Sequence, residues 1–509
     1  MKRYSVLVIA VCLNILMFCK LDVRASDETK IHFIALDSYS DAILLESNGK
    51  YGMIDSGEDW DFPIGEDFRY PAREGITRWT GYEQQVIHYL EEVGVEELEF
   101  YIATHAHSDH IGSGDEILDY FPTKYLYVSE YRDEWISLTN HLWDNQYVYD
   151  QLIEAANRNG TEIITHLDQP ENADRRTFQL GDMQLKIMNY ERERDESGNI
   201  IPVGDDNWNA LVVLLQAKGK NVLLSSDLDP SEGDTAKIAN LLIEELWDEC
   251  GIKEDEVAEQ YDIEEVQESE SISYENYPET AMNVKRELPS CNERNLNTGF
   301  DEWKPNLGSR IRLDLLKLPH HGEYHSNTPY FLTSLNPKIA VATAESIILK
   351  EEMKKYLLET DIYATGDDEY AALLIDFQGE ELSINTVKLK LGWNQTKDGK
   401  WRYCDDNGKA LSKWQYIDGE WYWFDKSIMQ TGWQYLGNWY YLNSSGQMQT
   451  GWQYLGGDWY YLNGSGQMQT GWQYLGGNWY YLNSSGQMLM GRNIIDGVPY
   501  IFASSGIML

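Results

Sequence analysis

The chain is poor in basic residues and in cysteine. Its 509 residues include 41 lysines and arginines against 84 acidic residues, which gives a net charge of −43. Because such a surface repels other polyanions, nucleic acid is excluded as the preferred partner unless a metal or a local basic patch supplies positive charge. Cys250, Cys291 and Cys404 are too few and too scattered for a disulfide framework, and only a Cys250–Cys291 bridge stays open.

Long hydrophobic runs are also missing. The apolar run at residues 6–18 follows Met1-Lys2-Arg3 and precedes the small-residue sequence Val23-Arg24-Ala25. It is shorter than the ~20 residues that a membrane-spanning helix needs, so we expect no stable membrane span. The pattern is typical of a secretory signal over residues 1–25, cleaved before Ser26, and it predicts a secreted protein.

What the sequence does have is a dense run of metal-binding side chains. His105, His107, Asp109 and His110 lie within six residues, directly behind the apolar segment Leu98–Ala103. A loop that leaves the end of a buried strand can fold these side chains around one or two ions, whereas a helix would point them in different directions. Imidazole together with carboxylate is a donor set that suits zinc, manganese and iron. The run therefore predicts a metal centre.

Apolar segments separated by turn signals predict an α/β domain over residues 26–391. It begins with a three-strand meander and continues as alternating strands and helices, which favours two central sheets with helices outside. One of the predicted helices covers residues 349–359. Residues 231–308 are dense in acid and are predicted to be an insertion, with a short helix at residues 238–247.

The remaining segment, residues 392–509, is an array of repeats. Gly-Trp pairs at 432–433, 451–452 and 471–472 recur every 19 or 20 residues, and each is followed by Trp-Tyr-Tyr-Leu. Strict self-similarity of this kind indicates about six stacked units. Each unit is predicted to be a β-hairpin that buries its apolar face only against its neighbours.

The histidine run, with Asp55 upstream of it, resembles the His-x-His-x-Asp-His motif of the metallo-β-lactamase superfamily. The resemblance implies a four-layered αββα sandwich. It also implies that His105 and His107 hold a first metal ion, while Asp109 and His110 hold a second.

The same resemblance implies the rest of the site. Asp227, which ends an apolar strand, matches the aspartate that bridges the two metals, and the His320-His321 pair matches the last metal histidine. We assign His321 as the ligand and His320 as a group that faces the substrate. Asp55 is a support that hydrogen-bonds the histidine loop. The expected catalytic residues are Asp109, Asp227 and His320.

The implied cofactors are two divalent metal ions, with zinc as the expected metal. Two such ions lower the pKa of a shared water and stabilise charge on a phosphoryl or acyl centre, so no serine or cysteine nucleophile is needed. Neutral His320 or its neighbour Glu323 could protonate the leaving group, although a purely structural role for Glu323 stays open.

One departure from the family pattern lies between the motif and Asp227. The superfamily commonly has a third histidine there, but the only histidines in the interval are His141 and His166. The expected region reads Asp205-Asp206-Asn207-Trp208-Asn209. A subgroup with phosphodiester-cleaving members has this Asn-bearing form. The first metal site would then be completed by water or another oxygen ligand.

The repeats resemble choline-binding repeats, in which aromatic side chains surround a quaternary ammonium group. A cation over an indole face gains about 0.5–2 kcal/mol. The expected cage residues are Trp433, Trp439, Tyr441, Trp452, Trp459, Tyr461, Trp472, Trp479 and Tyr481, with Met448 and Met468 as floors. Some of these aromatics must form the core of the stack, and carbohydrate is the alternative ligand because glucan-binding repeats are related.

Together the two resemblances imply a secreted phosphodiesterase or phosphorylcholine esterase on the surface of a Gram-positive bacterium. Its partner would be a choline-bearing teichoic or lipoteichoic acid of the cell wall. Trp143 and Tyr147, near the motif in sequence, are candidates for an aromatic choline pocket. The alternatives are a nuclease, lactonase or β-lactamase of the same fold, or an adhesin with glucan-binding repeats.

Overall fold

The computed structural model describes residues 28–36, 39–78, 81–230, 233–252, 310–366, 370–389, 391–396, 399–405 and 410–509. The predicted signal segment, Cys291 and most of the predicted acidic insertion lie outside these residues. Among the residues described, no helix combines the length and the apolar character needed to cross a membrane.

The N-terminal part is built from short, largely apolar strands. In chain order they are β1 (Thr29–Ile34), β2 (Ala42–Ser47), β3 (Lys50–Ser56), β4 (Leu98–Ala103), β5 (Thr123–Val128), β6 (Glu162–Ile164), β7 (Thr177–Leu180), β8 (Met183–Met188), β9 (Val212–Ala217), β10 (Lys220–Leu224), β11 (Gly251–Ile252), β12 (Arg310–Ile311), β13 (Leu315–Lys317), β14 (Ile339–Ala342), β15 (Asp361–Ala364), β16 (Ala372–Asp376) and β17 (Ser383–Val387). The strands β11 and β12 pair only with each other.

Two mixed sheets form the centre of this part. The first has the strand order β17-β16-β1-β2-β3-β4-β5-β6, and the second has the order β15-β14-β13-β10-β9-β8-β7. The antiparallel β1–β3 meander is confirmed, and the strands from β3 to β6 run parallel. Phe33, Ile102 and Val213 belong to the apolar cluster between the sheets. Strands covered on both faces are expected to be nearly continuous apolar runs, and β4 and β9 at the centre of the two sheets follow this pattern.

Helices cover the outer faces of both sheets. They are α1 (Glu83–Val93), α2 (Ser108–Ile111), α3 (Gly114–Tyr120), α4 (Asn145–Asn159), α5 (Asp234–Cys250), α6 (Pro329–Leu335) and α7 (Glu351–Lys354). Short 3₁₀ segments cover Asp133–Trp135, Thr139–His141, Pro170–Arg175, Asp206–Asn209, His320–Gly322 and Ser346–Ile348.

Two outer apolar clusters hold these helices on the sheets. Leu90 of α1, Ile117 of α3 and Leu152 of α4 pack on the first sheet, whereas Leu242 of α5 and Phe331 of α6 pack on the second. Each fully buried side chain of this size contributes about 1.5–3 kcal/mol. The predicted four-layered αββα order is therefore confirmed.

Two sequence predictions about helices need correction. The short helix predicted at residues 238–247 is present as part of the longer α5, but Leu242 and Leu246 of α5 are buried in the core, so this segment belongs to the sandwich and not to an insertion. The helix predicted at residues 349–359 is limited to the single turn α7. Leu349, Met353 and Leu357 keep helical spacing and are all buried, but a 3₁₀ segment, one α turn and a bend suffice to bury them.

The repeats form hairpins, as predicted. Their strands are β18 (Gly392–Gln395), β19 (Trp401–Cys404), β20 (Lys413–Ile417), β21 (Glu420–Asp425), β22 (Ile428–Met429), β23 (Gly432–Tyr435), β24 (Trp439–Leu442), β25 (Gly451–Leu455), β26 (Asp458–Leu462), β27 (Gly471–Leu475), β28 (Asn478–Leu482), β29 (Gly491–Ile495) and β30 (Val498–Phe502). Successive hairpins are joined by backbone hydrogen bonds: Met468 N donates to Trp439 O of the preceding repeat at 2.8 Å.

The first repeats contact the sandwich through charged side chains. Arg402, between these two parts, is completely buried; its guanidinium donates to the carbonyl oxygen of Gln84 at 3.1 Å and pairs with Glu91 of α1. Lys426 pairs with Asp61, in the loop that follows β3. The Arg402–Glu91 pair is buried, whereas Lys426 and Asp61 are partly exposed. A buried guanidinium needs its partners in place, so the Arg402 contacts favour this relative orientation of the two parts.

Candidate metal centre

The histidine loop begins where β4 ends and is held from below by Asp55. The backbone N–H of Thr104 donates to Asp55 Oδ1 at 2.9 Å, and the Thr104 hydroxyl donates to Asp55 Oδ2 at 2.6 Å. His110 Nδ1 lies 2.8 Å from the same Oδ2. Asp55 is thus placed where a supporting residue would act: it fixes one ring nitrogen of His110 and leaves the other free to face inward.

The loop brings the predicted residues together with the ends of β10 and β13. His105 Nε2 lies 3.1 Å from His107 Nδ1, and His110 Nε2 lies 3.2 Å from Asp227 Oδ1. From the other side, His321 Nε2 is 3.2 Å from Asp109 Oδ2 and 3.4 Å from Asp227 Oδ2. All six predicted metal-binding side chains therefore converge on one cleft.

Several atoms in this cleft are buried without any hydrogen-bond partner. They are the Nε2 atoms of His107, His110 and His321 and the Oδ1 atom of Asp227. Their nearest polar neighbours lie 3.2 Å away, in the pairs His107–Asp205, His110–Asp227 and His321–Asp109, without a well-directed hydrogen bond. Because a buried polar atom without a good hydrogen bond costs about 1–3 kcal/mol, a cation between these atoms would stabilise the group. Inward-facing imidazole nitrogens around a carboxylate fit a divalent metal ion. Asp41, His110, Asp227 and His321 also offer ligand atoms that all lie within 4.8 Å of one another.

The charges of the cleft favour ionised carboxylates. Burial opposes the ionisation of Asp227, but His110, His321 and His320 outweigh it and hold its pKa well below the usual value. Burial and the neighbouring imidazoles His110 and His107 lower the pKa of His105 well below the usual value. A neutral His105 beside an ionised Asp227 is the state in which both groups can coordinate a metal.

The His320-His321 pair lies on a 3₁₀ segment with unusual backbone geometry. The φ angles are 50° at His320 and 55° at His321, in the left-handed region that side chains with a Cβ rarely adopt. This conformation places the two rings differently. His321 is 1% exposed, whereas the side chain of His320 is 30% exposed, with its Nε2 3.6 Å from Asp227 Oδ2. Glu323 approaches His320 Nδ1 only to 4.0 Å.

A carboxylate occupies the place where the third family histidine is missing. Asp205 Oδ1 lies 3.2 Å from His107 Nε2, and the other oxygen of Asp205 is hydrogen-bonded to His141. Burial opposes ionisation of Asp205, but His107 and the bond from His141 depress its pKa. The neighbouring Asp206 accepts the backbone N–H of Ala106 at 2.7 Å and so steadies the histidine loop.

Two charged residues of the centre were missed by the sequence reasoning. Asp41, just before β2, lies 3.1 Å from His321 Nδ1 and 2.5 Å from Lys317 Nζ. Lys317 is completely buried and lies 3.7 Å from Asp227 Oδ1. The sequence contains one signal for this pair, a lysine near the end of the otherwise leucine-rich segment before Pro319. Because an unpaired buried charge is very costly, such a lysine indicates a buried acidic partner.

Only one of the two aromatic residues predicted for a choline pocket lies at the metal centre. Trp143 stacks on His141 with ring centroids 5.1 Å apart and meets His107 edge-on at 5.0 Å, so it lies at the metal centre. Tyr147 instead packs against Tyr70, with ring centroids 5.2 Å apart. The prediction of an aromatic wall therefore rests on Trp143.

In the repeats, perpendicular tryptophans pair within each hairpin. Trp452 and Trp459 have ring centroids 6.4 Å apart at 84°, and Tyr461 lies 5.2 Å from Trp452 within the same hairpin. The aromatic residue that the next repeat supplies is Tyr480, 4.9 Å from Trp452. The same geometry is repeated by the other predicted sets, Trp433, Trp439 and Tyr441, and Trp472, Trp479 and Tyr481. The sequence prediction did not include Tyr480 or its counterparts Tyr440, Tyr460 and Tyr500.

Each repeat is also fitted to the next by a methionine. Met448 packs on Gly466 of the following repeat, where an added Cβ would lie 2.4 Å from the Met448 sulfur. Gly466 has φ +80°, so a side chain is disfavoured there for a second reason. Met468 makes the same contact with Gly486. Met448 and Met468 thus join neighbouring repeats, and their predicted role as cage floors stays a prediction.

Comparisons with known families agree with this two-part architecture. Residues 36–232 match the metallo-beta-lactamase superfamily. Residues 469–509 match a choline-binding repeat, and residues 412–427, 431–448 and 450–468 match a cell wall binding repeat. Among curated proteins, none matches the chain.

The similar solved structures include two choline-binding proteins. Choline binding protein F from Streptococcus pneumoniae, solved with a peptidoglycan analogue, is 44% identical over 26% of this chain and 46% of its own, with a TM-score of 0.24. The choline binding domain of Spr1274 from the same organism is 43% identical over 16% of this chain and 95% of its own, with a TM-score of 0.15. The chain thus spans about half of the length of choline binding protein F.

Proposed function

We propose that this chain, which joins a domain of the metallo-β-lactamase superfamily to choline-binding repeats, is a metal-dependent phosphodiesterase that releases phosphorylcholine from cell-wall polymers. The observation that carries the proposal is the convergence of orphaned imidazole and carboxylate atoms in one cleft, on the same chain as stacked tryptophan hairpins. The repeats would hold the polymer, and the cleft would cut it.

In this proposal the cleft holds two divalent ions, with zinc as the expected metal. His105 and His107 would bind the first ion, Asp109, His110 and His321 the second, and Asp227 both. Asp205, through the oxygen that faces His107, would replace the missing imidazole. When bound, two such ions lower the pKa of a shared water and neutralise charge on phosphoryl oxygens.

The remaining residues would act on the substrate. His320 stands at the mouth of the cleft, close to Asp227, and would deliver a proton to the leaving alcohol of the polymer. Trp143 presents an aromatic surface beside His107, suited to a quaternary ammonium group. The net charge of −43 also favours a cationic head group over a polyanion such as nucleic acid.

The location follows from the same features. A secretory signal at residues 1–25 would export the chain, and the choline-binding repeats would retain it on the choline-bearing teichoic or lipoteichoic acid of a Gram-positive surface. Several weak cages on one array give avidity for a polymer that carries many copies of the ligand.

The test of the reaction compares three substrates with the zinc-loaded chain. We expect release of p-nitrophenol from p-nitrophenylphosphorylcholine, slower release from bis-p-nitrophenyl phosphate and little turnover of nitrocefin. Strong nitrocefin turnover without release from the first substrate would contradict the proposal and favour a β-lactamase. Asp205→Asn is expected to lower the metal content from two ions to one per chain, measured by mass spectrometry.

The test of the repeats is retention on a choline-bearing resin. We expect free choline to elute the chain and soluble glucan to leave it bound. Elution by glucan alone would move the assignment to carbohydrate recognition.

A further inference from the structure

The loop between β3 and α1 contacts Trp143, the aromatic residue that lies at the metal centre. From this loop, the guanidinium of Arg73 donates to the carbonyl oxygen of Trp143 at 2.9 Å and to that of Leu142 at 3.4 Å. Its other terminal nitrogen donates to Asp133 Oδ2 at 2.6 Å. One side chain therefore joins the loop, the backbone that carries the indole and the 3₁₀ segment that contains Asp133.

The same loop also touches the indole ring directly. Gly75 has φ +89°, and a Cβ added to it would lie 2.7 Å from Trp143 Nε1 and 2.8 Å from Trp143 Cδ1. The ring meets His107 edge-on and stacks on His141. The indole therefore packs against the backbone of the loop as well as against two histidines of the centre, and a glycine is needed where the loop passes it.

The backbone of Trp143 is strained. Its φ angle is 29°, on the left-handed side that residues with a Cβ rarely adopt. Such a conformation persists only when the surroundings hold it. Arg73 supplies that hold, because a guanidinium fork forms strong, directional hydrogen bonds with two carbonyl oxygens and a carboxylate. The contact is partly shielded from water, since the side chains of Arg73 and Asp133 are 22% and 24% exposed.

The loop has a separate attachment to α4. The hydroxyl of Tyr70 donates to Asp150 Oδ2 at 2.7 Å, and its ring packs on Tyr147. This attachment does not involve Arg73 or the carbonyl oxygens that Arg73 binds. Removal of the Arg73 guanidinium should therefore free the backbone of Trp143 without detaching the loop.

We propose that Arg73 and Gly75 are positioning residues, which hold the indole of Trp143 in the orientation that receives a quaternary ammonium group. This inference rests on the proposed function and names what would set its preference for a choline ester. A cation is attracted only over the face of a ring and within about 6 Å of its centroid, so a rotated indole would lose the contact. Both residues would act through Trp143 and not on the substrate itself.

The experiment compares two p-nitrophenyl phosphodiesters with the zinc-loaded full chain. One is p-nitrophenylphosphorylcholine. The other is p-nitrophenyl 3,3-dimethylbutyl phosphate, in which carbon replaces the quaternary nitrogen and the shape is kept. The ratio of KM for the second substrate to KM for the first is called the charge preference. It reports the contact with the positive charge, which a general loss of stability would not change selectively.

The single variants should lower the charge preference. We expect Trp143→Ala to lower it about tenfold, which corresponds to the strength of one cation–π contact. Arg73→Met should lower it about fivefold and change kcat by less than about twofold, because the indole is still present but no longer held. Gly75→Ala presses on the indole without changing Arg73, and a fall of about fivefold is expected there too.

A double variant and two matched controls separate positioning from general effects. Arg73→Met in the Trp143→Ala chain should lower the charge preference no further, because the residue through which it acts is gone. Gly94→Ala is the control for Gly75→Ala: Gly94 has φ +92°, but an added Cβ meets no atom within 4 Å. Arg158→Met, at an exposed arginine paired with a carboxylate, is the control for Arg73→Met.

The outcomes distinguish this inference from the proposed function. A lower charge preference in Arg73→Met and Gly75→Ala, but not in the controls, would support the inference. An unchanged preference in both, beside a clear fall in Trp143→Ala, would overturn it and leave the proposed function intact. A further fall in the double variant would also overturn it.

Two results would overturn the proposed choline site and this inference with it. They are the absence of wild-type turnover of p-nitrophenylphosphorylcholine and an unchanged charge preference in Trp143→Ala. Because Arg73→Met and Gly75→Ala alter different contacts of the same residue, failure of one variant to fold leaves the other as the test.

Discussion

The sandwich and the repeats place their functional groups by opposite means. In the sandwich, His321 contacts Asp41 across 280 positions of sequence, and both are almost completely buried. In the repeats, Trp452 contacts Trp459 of its own hairpin and Tyr480 of the next, and Trp459 is 39% exposed. Long-range burial makes a site precise and vulnerable to one change, whereas local repetition makes it tolerant, because each unit depends only on its neighbours.

The largest effect is expected at the residue that joins both sides of the cleft. Asp227→Asn should lower phosphodiesterase activity at least about a thousandfold, because metal coordination supplies several kcal/mol of transition-state stabilisation. The measurement is kcat/KM with p-nitrophenylphosphorylcholine. Retention on the choline resin should stay unchanged; loss of both activities together would show that the two regions are not separable.

The next effect concerns the buried lysine of the sandwich. Lys317→Met should lower the free energy of unfolding by about 3–5 kcal/mol, because Asp41 and Asp227 would keep buried negative charges without their partner. Denaturant unfolding with metal removed measures it. Lys354→Met, at a partly exposed lysine paired with Glu351, is the matched control. Equal stability of the two variants would contradict the importance of long-range pairing.

The next prediction concerns the junction between the two regions, where buried His88 should make the free energy of unfolding depend on pH. Burial and Arg402 lower the pKa of His88 on α1 to about 3. The unfolded chain takes up this proton near pH 6.5 and the folded chain only near pH 3, so the contribution to stability is present above pH 6.5 and is lost as pH falls through this window. The free energy of unfolding of the wild type should decrease as pH falls from 6.5 towards 3, and His88→Gln should make this decrease smaller by roughly 2–4 kcal/mol. Identical pH profiles for wild type and variant, with exposed His166→Gln as control, would contradict this.

A smaller effect is expected between repeats. Gly466→Ala should destabilise the array by about 1–3 kcal/mol, because the new Cβ meets Met448 and the backbone stays left-handed. Gly464→Ala, two residues away, meets no atom within 4 Å and should be tolerated. The thermal transition of the repeats measures both. A loss of phosphodiesterase activity in Gly466→Ala would break the separation between the regions.

The smallest effect concerns one cage. Trp459→Ala should weaken choline binding at its own site by about 0.5–2 kcal/mol and leave the other cages intact. The choline concentration that elutes the chain from the resin should therefore fall only modestly. Trp401→Ala, at a tryptophan of similar exposure, is the control. Complete loss of retention would mean that the cages act together rather than as repeated local sites.

These differences also explain which features the sequence reveals. The bounds of β4 and the hairpins of the repeats were predicted, because apolar periodicity and a fixed repeat length are local signals. Asp41 and Lys317 were not, because their pairing is between residues distant in the chain. Tyr480 was missed although the repeat was recognised, since the neighbour that completes a cage depends on how hairpins stack.

The predicted domain boundaries and the roles of individual metal ligands are not tested by the fold. The boundary at residue 391 and the assignment of individual ligands stay predictions, because the family matches cover only parts of the chain. Asp205 is an example of a contact that only the fold creates. The sequence indicated a missing imidazole, but only the fold brings the Asp205 carboxylate to His107.

The buried Arg402 has a consequence for how the sandwich can move relative to the repeats. A catalytic domain joined to the repeats by a flexible linker could reach every polymer unit within the length of that linker. Arg402 contacts Gln84 and Glu91 of α1, and these contacts restrict the movement of the first repeats relative to the sandwich. If the proposed reaction is correct, the distance between the cages that hold the polymer and the cleft that cuts it would be set by the protein, and the spacing of the phosphorylcholine groups left on the polymer would reflect that distance.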